Sequence, residues 1–251
     1  MNPKSRLLVA ASLLLGLALP STAWAGKPVH LFIFSGQSNM AAMNPETDFM
    51  PEARKLLPDA EVVCMKVADR GQPIRFWVSE WDQIVKKHSL TVPFDPKNKR
   101  KNFYPPILAQ YKELLEKHPK PASVTFCWMQ GERDAKENLS AGYADALRQL
   151  IANLRRDLQQ PAMNVVIGRI SDFVTDASWT ALRAAQIAVA NADPHGAWLD
   201  CDDLNDFDTN GVKTNSLHYT KEGYALLGRR YARQAKALID GKKPAANGRP
   251  D

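Results

Sequence analysis

Short apolar runs alternate with stretches of helical period along most of this chain. "VHLFIF" (29–34), "EVVCMKV" (61–67), "SVTFCWM" (123–129), "NVVIGRI" (164–170) and "GAWLD" (196–200) read as strands. They are mostly non-alternating, so both faces of each are expected to be covered, as in a parallel sheet. "SAGYADALRQLIANLRRDL" sets Tyr143, Leu147, Leu150, Ile151, Leu154 and Leu158 at helical spacing, with Ser140 as the expected N-cap. "TKEGYALLGRRYARQAKALI" repeats the arrangement behind Thr220, and "PPILAQYKELLEKHP" and "ASWTALRAAQIAVANAD" add two more helices. The alternation predicts one α/β domain, a three-layer α/β/α sandwich around a central parallel sheet.

Three segments fall outside that rhythm. Residues 69–103 are rich in Gly, Pro and charge and carry Phe76, Trp77 and Trp81; they read as an irregular insertion at the carboxyl rim of the sheet, where ligands bind in such folds. Residues 241–251, "GKKPAANGRPD", read as a disordered tail. At the start, Lys4 and Arg6 precede "LLVAASLLLGLALP" and then "AWA" at 23–25, the pattern of a signal peptide over 1–25 and a mature domain over 26–240. Export to the periplasm or beyond is therefore expected, with no membrane association after cleavage.

Composition narrows the partners. The formal charge of +6 becomes 6 − 2 = +4 once Lys4 and Arg6 are removed, and basic runs such as "PKNKRKN" sit in expected loops. Nothing masses basic residues on one face with aromatics among them, so no nucleic-acid partner is expected. Cys64, Cys127 and Cys201 are odd in number and lack zinc spacing, and two of them lie in strand-like runs, which favours inert core thiols and implies no metal.

The chemistry gathers at element ends. "FIFSGQSNM" stops a strand on Ser38 between Gln37 and Asn39. A serine there can present its hydroxyl where turn N–H groups stabilise an oxyanion; taken alone it can equally be a helix N-cap. "CWMQGERDA" ends a second strand on Gln130, Glu132 and Asp134, which read either as rim chemistry or as an exposed loop with a local ion pair. "NSLHYTKEGY" puts His218 ahead of the last helix, placed as a general base or as a water-facing helix start.

Together "GQSNM", "WMQGERD" and the late His before "YTKEGY" closely resemble the SGNH-hydrolase superfamily, in its branch of sialate O-acetylesterase-like and acetylxylan-esterase-like carbohydrate esterases. The resemblance spans about 29–238 and implies a flavodoxin-like fold and cofactor-free hydrolysis of sugar acetyl esters through an acyl-enzyme. It implies Ser38 as nucleophile, His218 as base, and an oxyanion hole from the Ser38 N–H and the Gln130 amide. Many members carry Asp three residues before the histidine, where this chain has Asn215. An amide there cannot stabilise an imidazolium by charge. Glu132, matching a glutamate that serves in some relatives, is the expected acid; Asn215 is an orienting helper, and Asp134, Asp206 and Asp208 are the alternatives.

"NFYPPIL" offers proline where the family often has a glycine N–H, which leaves Gly71 as a further oxyanion donor. Gln37, Asn39, Arg75, Trp77 and Trp81 are expected at the substrate, the tryptophans as stacking platforms for a sugar or as packing for the insertion. The rival expectation is a carbohydrate-binding protein that has lost efficient catalysis. A lipid or thioester substrate would call for a more apolar rim.

Overall fold

The computed structural model describes residues 26–93, 101–209 and 212–249, without the side chains of 207–214. The expected signal segment, part of the insertion (94–100) and the Asp208 side chain lie outside that description. Five parallel strands, β1 (Val29–Gly36), β2 (Glu61–Ala68), β3 (Ser123–Met129), β4 (Asn164–Gly168) and β5 (Gly196–Leu199), stand in the order β2-β1-β3-β4-β5. This is the flavodoxin-like order of an open doubly wound sheet.

The central strands β1, β3 and β4 bury both faces, as their continuous apolar runs predict, while the edge strands β2 and β5 are half-buried in part. Leu31, Ile33, Phe126, Trp128, Val165 and Ile167 point into a core shared with α3 (Trp81–His88), α4 (Tyr104–Lys117), α6 (Ser140–Asp157) and α7 (Ala177–Ala192). Their alternates Phe32, Phe34, Cys127, Met129 and Val166 face α1 (Ser38–Ala42), α2 (Met50–Leu56) and α8 (Lys221–Ile239). The result is the three-layer sandwich, with a short helix α5 (Glu132–Lys136) at its rim.

Five local expectations are corrected. β4 stops at Gly168 rather than 170. Ser140 opens α6 without capping it: its hydroxyl meets the Ser178 carbonyl at 2.6 Å, tying α6 to α7. Thr220, by contrast, does cap α8, accepting from the Gly223 N–H at 2.8 Å. The stretch around Asp206 and Asp208, read as loop, forms an antiparallel hairpin of β6 (Asp206–Thr209) and β7 (Val212–Asn215). The insertion is not irregular throughout, since Ile74–Phe76 form a 3₁₀ turn, α3 follows, and Ile74, Phe76, Trp77, Val78, Trp81 and Ile84 enter the core. Residues 241–249 are laid along β5, where the Asn247 carbonyl accepts from the Asp200 N–H at 2.8 Å and Ala245 exchanges two hydrogen bonds with the Gln234 side chain.

Candidate active site

β1 pairs with β2 on one side and β3 on the other, so the chain reverses its winding between β1 and β3, the crevice where such sheets bind ligands. Both strands leave the sheet through a glycine held at positive φ. At Gly36 (φ 144°) an added Cβ would sit 1.9 Å from the Met129 carbonyl oxygen, a contact only glycine avoids. That approach lets the Gln37 N–H donate to the Met129 carbonyl at 2.9 Å, joining the two strand ends. Ser38 follows as the first residue of α1, 7% exposed, and among the described residues neither its hydroxyl nor its backbone N–H has a hydrogen-bond partner. Lys66 of β2 fixes the far end of α1 by donating to the carbonyls of Ala41 at 3.0 Å and Met43 at 2.7 Å, a cation at a helix C-terminus.

β3 delivers two buried carboxylates. Glu132 accepts from the Asn39 amide at 2.9 Å through Oε1, while Oε2 is buried without a partner among the described residues. Burial pushes this carboxyl up to about 7, against the pull of its own N–H and the Asn39 amide. Asp134 accepts from the Ile74 N–H at 2.9 Å and from the Gln130 amide at 2.5 Å through Oδ2; burial raises it to about 6. Asp134 thus anchors the insertion to the end of β3.

Other expected residues take different places. Gln130 is fully buried and its NH₂ is shared among the Gln72 carbonyl, Asp134 and Gln37, so it secures the loop after β2 rather than facing an oxyanion at Ser38. Gln37 and Asn39, expected at the substrate, are both buried. The Gln37 side-chain oxygen accepts from Gln130 and the Arg133 N–H, and Asn39 is 0% exposed. Trp77 and Trp81, 1% and 6% exposed, pack the insertion onto the sheet. Trp77 stacks on Phe103 at 4.5 Å, meets Trp128 edge-on and donates to Ser35 at 2.9 Å. Arg75 is drawn into an ion pair with Glu137 at 2.6 Å. Gly71 does lie exposed at φ 66°, its N–H without an acceptor among the described residues. The loop that holds it is tied to β1 by the Asp69 N–H, which donates to the Gly36 carbonyl at 3.2 Å.

His218 is exposed, and its ring has no hydrogen bond among the described residues. Asn215 turns away from it, accepting from Asn205 at 2.5 Å and donating to Asp172 at 3.3 Å, so it braces the hairpin and does not orient the imidazole directly. Asp206 is exposed at the start of the hairpin. The residue before it is tied to the rim beside Ser38: the Asn39 amide donates to the Leu217 carbonyl at 3.2 Å.

Sequence reading passed over Lys66, Asp172, Tyr224 and Gln186. Tyr224 donates to Asn39 at 3.1 Å, and Gln186 with Tyr143 holds the Gln130 carbonyl at 2.8 and 2.6 Å. Tyr224 lay within the quoted "YTKEGY", but its partner is 185 residues away.

The fold recurs in solved structures. A protein from Arabidopsis thaliana aligns at a TM-score of 0.55 and 18% identity over 85% of this chain and 98% of its own. A carbohydrate acetylesterase from Xanthomonas citri aligns at 0.59 and 15% over 86% of this chain, which spans 57% of that protein. NanS aligns at 0.56 and 13%, covering 86% of this chain and 98% of its own. At these identities the likeness is one of fold, the three-layer α/β/α sandwich. No curated protein sequence matches the chain. The family model for carbohydrate esterases described as sialic acid-specific acetylesterases matches residues 41–237, beginning just after Ser38. The chain belongs to that family of carbohydrate esterases, and it is a carboxylic ester hydrolase.

Proposed function

We propose that this protein is an exported serine O-acetylesterase that removes acetyl groups from a carbohydrate through an acyl-enzyme, with Ser38, His218 and Glu132 as its triad. The observation that carries the reading is the Asn39 amide, which touches both Glu132 and the residue before His218 while standing next to Ser38. Three groups drawn from distant parts of the chain meet around one side chain. The glutamate among them keeps one buried oxygen unpartnered, able to accept an imidazole N–H.

In the reaction His218 takes the Ser38 proton as the hydroxyl oxygen attacks the acetyl carbonyl. The resulting oxyanion is met by the Ser38 N–H and, from the loop after β2, the Gly71 N–H. His218 then protonates the departing sugar oxygen; a water deprotonated by the same imidazole attacks the acetyl carbon, and the imidazolium returns that proton to Ser38 Oγ as the C–Oγ bond breaks and acetic acid leaves. Every proton is accounted for by chain and water, so the cycle uses no cofactor. His218 is exposed and turns onto Ser38 when substrate enters; apo geometries of this kind tighten in the complex. Aromatic stacking by Trp77 and Trp81 has no part in the reading, because both rings are buried.

Acetate release by the purified protein from p-nitrophenyl acetate and from an acetylated xylan, beside Ser38→Ala, tests the proposal. Turnover that vanishes in the variant is the expected result. Glycan affinity without Ser38-dependent turnover would instead establish a binding protein on an esterase fold.

A further inference from the structure

The Asn39 side chain is 0% exposed, so substrate does not reach it, yet its polar atoms are engaged on three sides. Its nitrogen lies 2.9 Å from Glu132 Oε1 and 3.2 Å from the Leu217 carbonyl, and its oxygen accepts from the Tyr224 hydroxyl at 3.1 Å. We propose that Asn39 is the positioning residue of this active site: by donating one amide proton to Glu132 and the other to the backbone ahead of His218, it sets acid and base against the nucleophile beside it. The inference rests on the triad reading above.

Only a short side chain with two donors on one atom and an acceptor on the next makes all three contacts. Aspartate fills the same volume but donates nothing, and it would set a second carboxylate against Glu132. Alanine takes away the side-chain donor to Glu132 and leaves that buried carboxyl only its own backbone N–H. Because Asn39 occupies Oε1, Oε2 is the oxygen open to the imidazole.

The same bond favours the ionised form of Glu132. Around that carboxyl, Lys136 and Asp134 of its own helix are the charged groups, and Tyr143, Tyr219, Tyr224 and Tyr231 face it as phenols kept neutral by burial. Loss of the Asn39 donor leaves its own N–H and Lys136 as the stabilising influences on that charge.

Asn39→Ala and the isosteric Asn39→Asp, made in the whole protein, separate donation from packing. With p-nitrophenyl acetate each is expected to lose roughly 10- to 100-fold in kcat with KM within about threefold, the scale of a hydrogen bond to a charged group. The acid limb of the pH profile and the Glu132 carboxyl titration, read by ¹³C NMR, are both expected to move to higher pH. Wild-type kcat in Asn39→Asp, or a Glu132 titration unchanged in both variants, would overturn the inference. If Asn39→Ala does not fold, Asn39→Asp carries the test. Absence of Ser38-dependent turnover in the wild type strikes at the triad reading instead, and the Glu132 titration then still decides whether Asn39 holds that carboxyl.

Discussion

The two halves of the sheet's carboxyl rim treat their carboxylates in opposite ways. Beyond β1 and β3, Glu132 and Asp134 are buried with one oxygen each unpartnered among the described residues, and burial raises both. Beyond β4 and β5, Asp200, Asp202 and Asp203 are gripped by arginines. Arg169 reaches Asp200 and Asp202 at 2.7 Å, Arg183 takes Asp202 at 2.7 Å, and the buried Arg230 takes Asp203 at 2.6 Å. Asp200 and Asp203 are lowered: their guanidinium and backbone donors outweigh burial, the largest single influence and an opposing one. One half stores carboxylates in a state that favours proton uptake and hydrogen-bond acceptance. The other uses them to staple the loop leading to the β6–β7 hairpin and His218.

The contrast is testable from its largest effect downward. Ser38→Ala should lower kcat by at least about 10³-fold, and Glu132→Gln by about 10²- to 10⁴-fold, the range for an orienting acid made neutral. Asp202→Asn should leave kcat within about tenfold while lowering the melting temperature. A reversal, with Asp202 essential to turnover and Glu132 dispensable, would mean the halves have been assigned the wrong way round. Arg230→Met should cost about 2 kcal/mol in urea unfolding, because it removes a buried guanidinium together with its hydrogen bonds to the Asp200 carbonyl and Asp203, while Asp203 itself is exposed and keeps Arg249 beside it.

The pH dependence of stability should differ in sign between the halves. Glu132 is raised from 4.5 to about 7, so between those values the folded state binds more protons than the unfolded one and stability falls as pH rises. Glu132→Gln should therefore be more stable than wild type at pH 8, by up to about 3 kcal/mol, with the gap closing below the unfolded value. Asp203 is lowered from 3.8, so its contribution is present above that value and lost as pH falls through the folded one. Asp203→Asn should be less stable than wild type at neutral pH and converge with it in acid, the smallest of these effects. Equilibrium urea melts from pH 3 to 8 would read both slopes.

What was legible in the sequence follows from range. The strands were readable because burial leaves an unbroken apolar run, and the rim position of Glu132 because it follows directly on the end of one such run. The β6–β7 hairpin was not, since "DFDT" and "VKTN" are short and polar. Trp77 and Trp81 sat in a polar, proline-rich stretch whose local pattern left stacking on a sugar and packing on the sheet equally open, and burial decides for packing. The placement of Asn39 was hidden for a different reason: Glu132, Leu217 and Tyr224 lie 93, 178 and 185 residues away, contacts no local pattern encodes.

The closing segment of the chain bears on how these molecules meet one another. β5 is the last strand of the sheet, and its outward groups would otherwise invite a strand from a neighbour. Gln234 of α8 takes the Trp198 carbonyl at 2.7 Å, and the strap around Asn247 takes the next outward N–H, at Asp200. That side of the sheet is thereby closed to edge-to-edge pairing. Trimming the chain back to α8 would uncover the Asp200 N–H and open that border to a neighbouring strand, so self-association should rise with concentration.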